Sequence, residues 1–516
     1  MCGIFLQYSG NTSDNNDDLF FEFDELASGH GPDIIAGKIL GNEGSLLPLI
    51  ADRGPNYASL KYSKEDHICW FSSVLSLREP LTKQSISVGT RFVLQYNGEC
   101  YNKSIKNNDT QWIVDQLTIC EDVPAVLRSL DGEFAYTIYD KHMRQVFFGR
   151  DAIGKRSLSY RWDPKDKECS IASVTGKIEG FENCVAGVIY VYDVAQNEVR
   201  ADLKIRPDAF RVSNEEDREL VGLDDYVSQL YDLLKEAVQR RIDTIHPLHI
   251  ENSPVSVLFS GGLDCSVIAA LVCQYIKNSN QNTILELLNV GFENPRTGLM
   301  PGDVPDRILG LKSYLTLKKL FPEVTIRFLE VDVSFQDFLD HKGSIMNLIY
   351  PKQTEMDLSI AAAFYFAARG RGFIKDDSGA RISYNRNGVV LFSGLGADEL
   401  YGGYHKFANK SKQELVGELE RQINNIHDRN LSRDDKVVAS NGVEVRYPFL
   451  DEAVVEFSTG LPITYKVNKM ILRKLAQERL FMSSISEEPK RAIQFGAKSA
   501  KMTKNGNKHG TDVVAE

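Results

Sequence analysis

Along the first 200 residues, apolar and aromatic positions come in short runs broken by turn residues, at 92–96, 134–139, 145–148 and 187–192. Runs of this length, punctuated by Asn-Gly, Asp-Gly or Asp-Lys, predict antiparallel strands in layers. The pattern lapses over 205–222, IRPDAFRVSNEEDRELVG, which is polar and carries no strong apolar period, so a linker is expected there. From 226 to 242 apolar residues recur at helical spacing, at Val227, Leu230, Leu233, Leu234, Ala237 and Val238. A buried strand is expected at 255–259, followed by a glycine turn. Beyond it, strands (285–291, 325–331, 388–392) alternate with helices (311–320, 359–369, 413–424). Such alternation predicts a parallel sheet covered by helices. The polar stretch 505–516 is expected to fray.

A chain of 516 residues is too long for one core, so two domains are expected, with boundaries at 2–204, a linker at 205–222, a second domain at 223–504 and a polar tail at 505–516. Hydrophobic residues make up 42% and charged residues 25%, ordinary for a globular chain. The net charge of -11 gives no bulk attraction to nucleic acid or an anionic membrane, and neither is expected as a partner. No apolar run reaches the ~18–20 residues that cross a bilayer. The opening MCGIFLQYSG has no basic residue before its apolar stretch and does not read as a signal peptide, so a cytoplasmic protein is expected. Eight cysteines without any CxxC spacing point to reduced thiols rather than a disulfide framework. His246 and His249 form the closest histidine pair, but no cysteine or carboxylate cluster joins them, so no zinc site is expected.

Two places carry candidate chemistry. Cys2 follows Met1 directly, and removal of Met1 would leave a thiol beside a free α-amine able to serve as its base. At 97–99, Asn-Gly-Glu ends an apolar run. Its side-chain amide and glycine N–H could face an oxyanion, or the pair could be a hairpin turn. Farther on, Ser260-Gly261-Gly262-Leu263-Asp264-Cys265-Ser266 stands between a buried strand and an apolar helix, a setting that suits anion binding at a helix N-terminus. It lacks the Gly-Lys-Ser/Thr ending of a Walker-type loop.

Five segments in order, CGIF (2–5), RGPN (53–56), YNGECYN (96–102), LDGEFAYTIYD (130–140) and GRDAIGKRSL (149–158), resemble the glutamine amidotransferase domain of asparagine synthetases. SGGLDCS (260–266), LFSGLGADELYGGY (391–404), RDDKVVASNGVEVRYPFLD (433–451) and KMILRKL (469–475) resemble the synthetase domain of the same family. RGPN, SGLGADE and KRAIQFG fit best the branch called asparagine synthetase domain-containing proteins. The resemblance implies an α/β two-domain fold: an N-terminal Ntn-type αββα amidotransferase layer domain, and a C-terminal doubly wound parallel-sheet ATP pyrophosphatase domain.

It further implies that Cys2 attacks the side-chain amide of glutamine, with Asn97 and Gly98 as oxyanion hole and Glu99 and Asp109 in the glutamine pocket. ATP would meet Phe259, Ser260, Gly261 and Gly262, then Asp264, Cys265 and Ser266, with Val290, Ser393 and Gly394 nearby. Asp264 and Asp398 would hold Mg²⁺. Lys469 matches the family's catalytic lysine, with Arg473, Lys490 and Arg491 as supporting cations. The implied product is an amide of an amino-acid carboxylate, normally aspartate. A homodimer stays open.

Two departures stand against that pattern. Val74 occupies the place of an arginine that holds the glutamine α-carboxylate. Arg78, four residues on and on the same strand face, could substitute or could be a solvated surface arginine. Leu395 occupies the place of the glutamate in the family's SGEGxDE, so either another carboxylate such as Glu399 serves, or the acceptor is not aspartate, or the chain is an ATP-binding scaffold without turnover.

Overall fold

The computed structural model describes residues 2–10, 18–23, 40–246, 255–279, 283–404, 410–502 and 509–514. His249 and positions 505–508 and 515–516 of the expected tail lie outside them. The chain forms two compact units: Met1–Asp208 with Asn347–Pro351 and His427–Val443, and Ala209–Met346 with Lys352–Ile426 and Glu444–Glu516. The main division falls between Asp208 and Ala209, and two later segments, 347–351 and 427–443, gather with the first unit.

The first unit contains two antiparallel sheets. One runs Glu182–Asn183, Ser159–Asp163, Glu168–Ala172, Gly3–Ser9, Ile68–Val74, Tyr57–Ser63, Leu19–Phe23. The other runs Glu198–Lys204, Val188–Asp193, Gln145–Arg150, Gly132–Asp140, Phe92–Cys100, Ile86–Val88. Strand alternation sorts the side chains. Ile4, Leu6, Val93 and Phe148 meet in one core shared by both sheets. Phe5 turns outward to Leu47 and Ile50 of the helix Leu47–Ala51, and Leu94 turns outward to Ile113 and Leu117 of the helix Asp109–Cys120. Asn108 starts the latter helix by accepting from Gln111 N, and Glu121 ends it in a left-handed conformation.

The second unit is built on a sheet ordered Arg381–Asn385, Arg371–Lys375, Ile326–Val333, Leu285–Phe292, Val255–Leu258, Val390–Phe392, Glu444–Arg446. The last five are parallel. The first two are an antiparallel hairpin at the edge, absent from the sequence reading because its residues are mostly exposed and show no apolar alternation. Val255–Leu258 lies between Leu285–Phe292 and Val390–Phe392, so the chain winds outward in both directions from it. Loops leaving the carboxyl ends of two such neighbouring strands share a crevice. The helices at 311–320 and 359–369 begin earlier than their apolar periods suggest, at Pro305 and Glu355, where a Pro and a Thr354 cap supply the start. Residues 509–514 do not fray: Glu355 N donates to Asp512 O and Val514 N to Gln353 O, both at 2.9 Å. Among the described residues, no helix is long and apolar enough to cross a membrane.

Candidate active sites

Cys2 stands immediately before the central strand Gly3–Ser9 and is partly exposed. Its backbone N donates to Asn97 Oδ1 at 2.8 Å. That bond fixes which way the amide faces, and Asn97 Nδ2, fully buried, has no hydrogen-bond partner. Buried polar atoms are rarely left unsatisfied, so an orphaned donor on the amide that holds Cys2 N points to an acceptor supplied by a ligand. Asn97 and Gly98 are not a hairpin turn. They lie within the strand Phe92–Cys100, opposite Ala135 and Phe134. Gly98 has φ 154°, and a Cβ there would sit 2.1 Å from Glu133 O, so only glycine fits.

Glu99 projects to the same face as Asn97. Arg78 Nε donates to Glu99 Oε2 at 2.8 Å, and its other nitrogens donate to Asn107 O and Cys100 O. The reading of Arg78 as a solvated surface residue is therefore overturned: its side chain is 9% exposed. Burial opposes its charge, but Glu99 and Asp109 outweigh that and hold its pKa above the usual value. Asp109 Oδ2 accepts from Cys100 N at 2.9 Å and its Oδ1 from Thr110 N at 2.8 Å. Val74 is buried and apolar. Gly54 of the RGPN segment lies against it: a Cβ at Gly54 would stand 2.2 Å from Val74 N. Arg53, on the other side of Gly54, donates through Nε to Cys2 O at 3.2 Å.

In the second unit, the turn Ser260–Gly262 leads from Val255–Leu258 into the helix Leu263–Ser279. Gly261 has φ +83°, and a Cβ would be 2.5 Å from the Gly310 backbone. Its carbonyl accepts from Ser313 Oγ at 2.7 Å and Ser266 Oγ at 3.3 Å. Gly262 N meets Ser260 Oγ at 3.4 Å, and Cys265 Sγ donates to Gly262 O at 3.3 Å. Phe259 is buried with its ring edge-on to Phe328, and Val290 is buried on the adjacent strand. From the neighbouring strand, Ser393 Oγ accepts from Leu395 N at 3.2 Å. A Cβ on Gly394 would come 2.9 Å from Cys265 N and 3.0 Å from Asp264, so the two glycine loops touch.

Lys469 Nζ donates to both Asp264 oxygens, at 2.7 and 2.6 Å, and pairs with Asp398 Oδ1. It reaches them from a left-handed backbone, φ 59°, anchored by its N–H on Tyr401 O at 2.9 Å. Lys490 pairs with Asp398 and stands 3.9 Å from Asp264. Burial would raise the Asp398 carboxyl, but Lys469 and Lys490 hold it well below the usual range. Gly403 makes room for this cluster: a Cβ would fall 2.1 Å from Asp398 Oδ1. Arg473, expected as a supporting cation, donates through Nε to the carbonyl of Asn468 and through Nη1 to those of Ser486 and Glu488. Burial and the Asp398 charge raise the pKa of Glu399, which accepts from Tyr404 Oη at 2.6 Å.

Among the described residues no group of three or more His, Cys, Asp or Glu gathers around a metal position. Asp264 and Asp398 nevertheless converge on one ammonium, and two carboxylates completed by phosphate and water oxygens are the donor set Mg²⁺ favours. Sequence reasoning missed Asp306, buried on the face of the helix Pro305–Leu320 that carries Gly310 one turn later; burial raises its pKa to about 7 against the pull of Arg491, Lys490 and Lys498. A lone Asp in a polar stretch carries no signal of burial.

The family model for a glutamine amidotransferase domain matches residues 73–179, and that for asparagine synthase matches residues 408–514. The first span includes Arg78, Asn97 and Asp109, and the second includes Lys469 and Lys490. An asparagine synthetase domain-containing protein of Saccharomyces cerevisiae, YML096W, is 54% identical over 100% of this chain and 99% of its own length. Asparagine synthetase domain-containing protein 1 of mouse is 27% identical over 90% of this chain and 95% of its own. A solved structure of the allosteric regulatory enzyme of purine biosynthesis overlaps 56% of this chain and 65% of its own at 13% identity and TM-score 0.26, too low to carry an argument. The two matches thus define a chain of the asparagine synthetase-like glutamine amidotransferase family. The chain belongs to the asparagine synthetase domain-containing proteins.

Proposed function

We propose that this chain is a glutamine-dependent amide ligase, an Ntn-type glutaminase unit joined to an ATP pyrophosphatase unit. The observation that carries the reading is the meeting of Asp264 and Asp398, from two glycine loops on neighbouring parallel strands, at Lys469.

In the first unit, the Cys2 thiol attacks the side-chain amide carbon of glutamine after passing its proton to its own α-amine. Asn97 Nδ2 and the Gly98 N–H receive the oxyanion. Collapse of the adduct expels ammonia, which takes the proton, and water cleaves the remaining thioester to glutamate. Glu99 and Asp109 suit the substrate α-ammonium, and Arg78 orients Glu99. In the second unit, a carboxylate oxygen attacks the α-phosphorus of ATP and pyrophosphate leaves. Ammonia then adds to the acyl carbon, and AMP departs as the amide forms. Two anions must meet, so charge neutralisation dominates the barrier. Lys469 and Lys490 supply it at the phosphates. Mg²⁺, when held by Asp264 and Asp398, would add to that neutralisation on the β- and γ-phosphates.

Aspartate is the acceptor the family pattern favours. Leu395 favours another reading, a ligase acting on a different acid, because a half-buried leucine offers neither a proton site nor a ligand there. The division of labour is tested with Cys2→Ala in the full chain. Glutamine-dependent amide formation is expected to vanish while ammonia-dependent formation persists. Loss of both in a folded variant contradicts it.

A further inference from the structure

Asp435 lies 382 residues from Arg53 in sequence, yet its Oδ2 accepts from Arg53 Nη2 at 2.9 Å. The same oxygen accepts from Ser157 N at 2.9 Å and Ser157 Oγ at 2.7 Å. Arg156 stands 3.8 Å from Asp435 Oδ1 and 3.3 Å from Glu133 Oε2. All these side chains are buried, and Asp435 comes from the helix Ser432–Ala439 in the segment His427–Val443 that joins the first unit. Burial opposes the Asp435 charge, but Arg53 and Arg156 hold its pKa below the usual value.

We infer that Asp435 is a positioning residue for the Cys2 nucleophile, acting through Arg53. The guanidinium is planar and rigid, so fixing one edge fixes the other. One edge is held by Asp435, and Nε holds the Cys2 carbonyl at 3.2 Å. That carbonyl is on the residue whose Cα carries both thiol and amine. The carboxylate also carries a negative charge paired with that guanidinium. Without it, one edge of the buried guanidinium loses its anchor and the field around Cys2 becomes one charge more positive, which favours both thiolate and neutral amine. At its far end the network reaches Glu133, whose carbonyl packs on Gly98. A structural ion pair alone would account for the burial, but not for the direct bond from Arg53 to the nucleophilic residue.

The inference rests on Cys2 being the nucleophile, so the test reads the thiol as well as the reaction. Cys2 and Cys120 are the cysteines not buried, so the full chain is used in a Cys120→Ser background. Iodoacetamide alkylation of Cys2 is followed against pH by intact mass, alongside glutaminase kinetics. Asp435→Asn is expected to lower kcat about tenfold or more with KM within about threefold. Its alkylation midpoint is expected to move to lower pH by roughly half a unit or more, and Asp435→Glu to recover most of the shift. Should Asp435→Asn fail to fold, Ser157→Ala, which removes one bond to the carboxylate and the 3.4 Å bond from Arg53 Nη1, is expected to shift the midpoint in the same direction by less. A folded Asp435→Asn, or in its place a folded Ser157→Ala, whose profile superimposes on the parent overturns the inference. If the parent shows no glutaminase activity but the midpoint still moves, the inference stands and the functional reading falls.

Discussion

The backbone N of Cys2 donates to the side-chain oxygen of Asn97 at 2.8 Å, and this one bond turns the Asn97 amide so that its nitrogen is left buried without a partner. The strand pairing of Phe92–Cys100 against Gly132–Asp140 holds it there. Asn97→Ala is expected to reduce glutamine hydrolysis by about 10²–10³ in kcat, the usual cost of an oxyanion donor, with a smaller change in KM. Ammonia release under saturating glutamine measures it. A loss confined to KM would make Asn97 a binding residue only.

Lys469 bridges two aspartates that would otherwise repel each other in a buried crevice. Lys469→Met is expected to lose stability by roughly 3–5 kcal/mol, the cost of breaking a buried pair. Millimolar Mg²⁺ should restore part of that loss, because a divalent ion replaces the missing charge. Thermal melts of parent and variant, each with and without Mg²⁺, measure this, and a Mg²⁺ response no larger in the variant would argue against a metal between the two carboxylates. Pyrophosphate release should fall by about 10² or more in the same variant.

Two buried groups outside the proposed steps set opposite pH trends. Burial raises Asp306 to about 7, so its carboxyl stays protonated in the folded chain after the unfolded chain has ionised near 3.9. The unfolded state then binds fewer protons, and this contribution falls as pH rises from about 4 to 7. Asp306→Asn is expected to raise the melting temperature more at pH 8 than at pH 5.

Lys466 is its mirror. Its ammonium donates to Thr459 O at 2.7 Å, and burial pulls its pKa to about 7. Between about 7 and 10.4 the unfolded state binds more protons, so the contribution rises with pH across that window. Lys466→Met should raise the melting temperature more at pH 6 than at pH 9.5. Equal shifts at both pH values would contradict the burial argument.

Local pattern carried much of this architecture. Apolar spacing from Val227 to Val238 marks the helix Leu223–Asp243, and the largely apolar runs at 255–259 and 285–291 mark central strands because both their faces are covered. Ordered motifs likewise pointed to Cys2 with Asn97 and to Asp264 and Asp398 with Lys469; the two aspartates follow the ends of neighbouring parallel strands, Val255–Leu258 and Val390–Phe392. Illegible were relationships that depend on distant packing. Asn-Gly at 97–98 has the composition of a turn, yet pairing opposite Ala135 and Phe134 holds it within a strand. Arg78 stayed open between a carboxylate ligand and a solvated surface residue because nothing local to it announces Glu99. Asp435 sits in a motif of the second half of the sequence, and only the folded first unit shows it under Arg53.

The central claim is that this crevice activates a carboxylic acid with ATP. Exchange of labelled pyrophosphate into ATP, by the full chain with Mg²⁺ and a panel of amino and other carboxylic acids, tests it most directly. Exchange that requires one acid, and that disappears in Asp264→Asn, is the predicted result. ATP binding without exchange for any acid would contradict the claim and leave a folded ATP-binding scaffold.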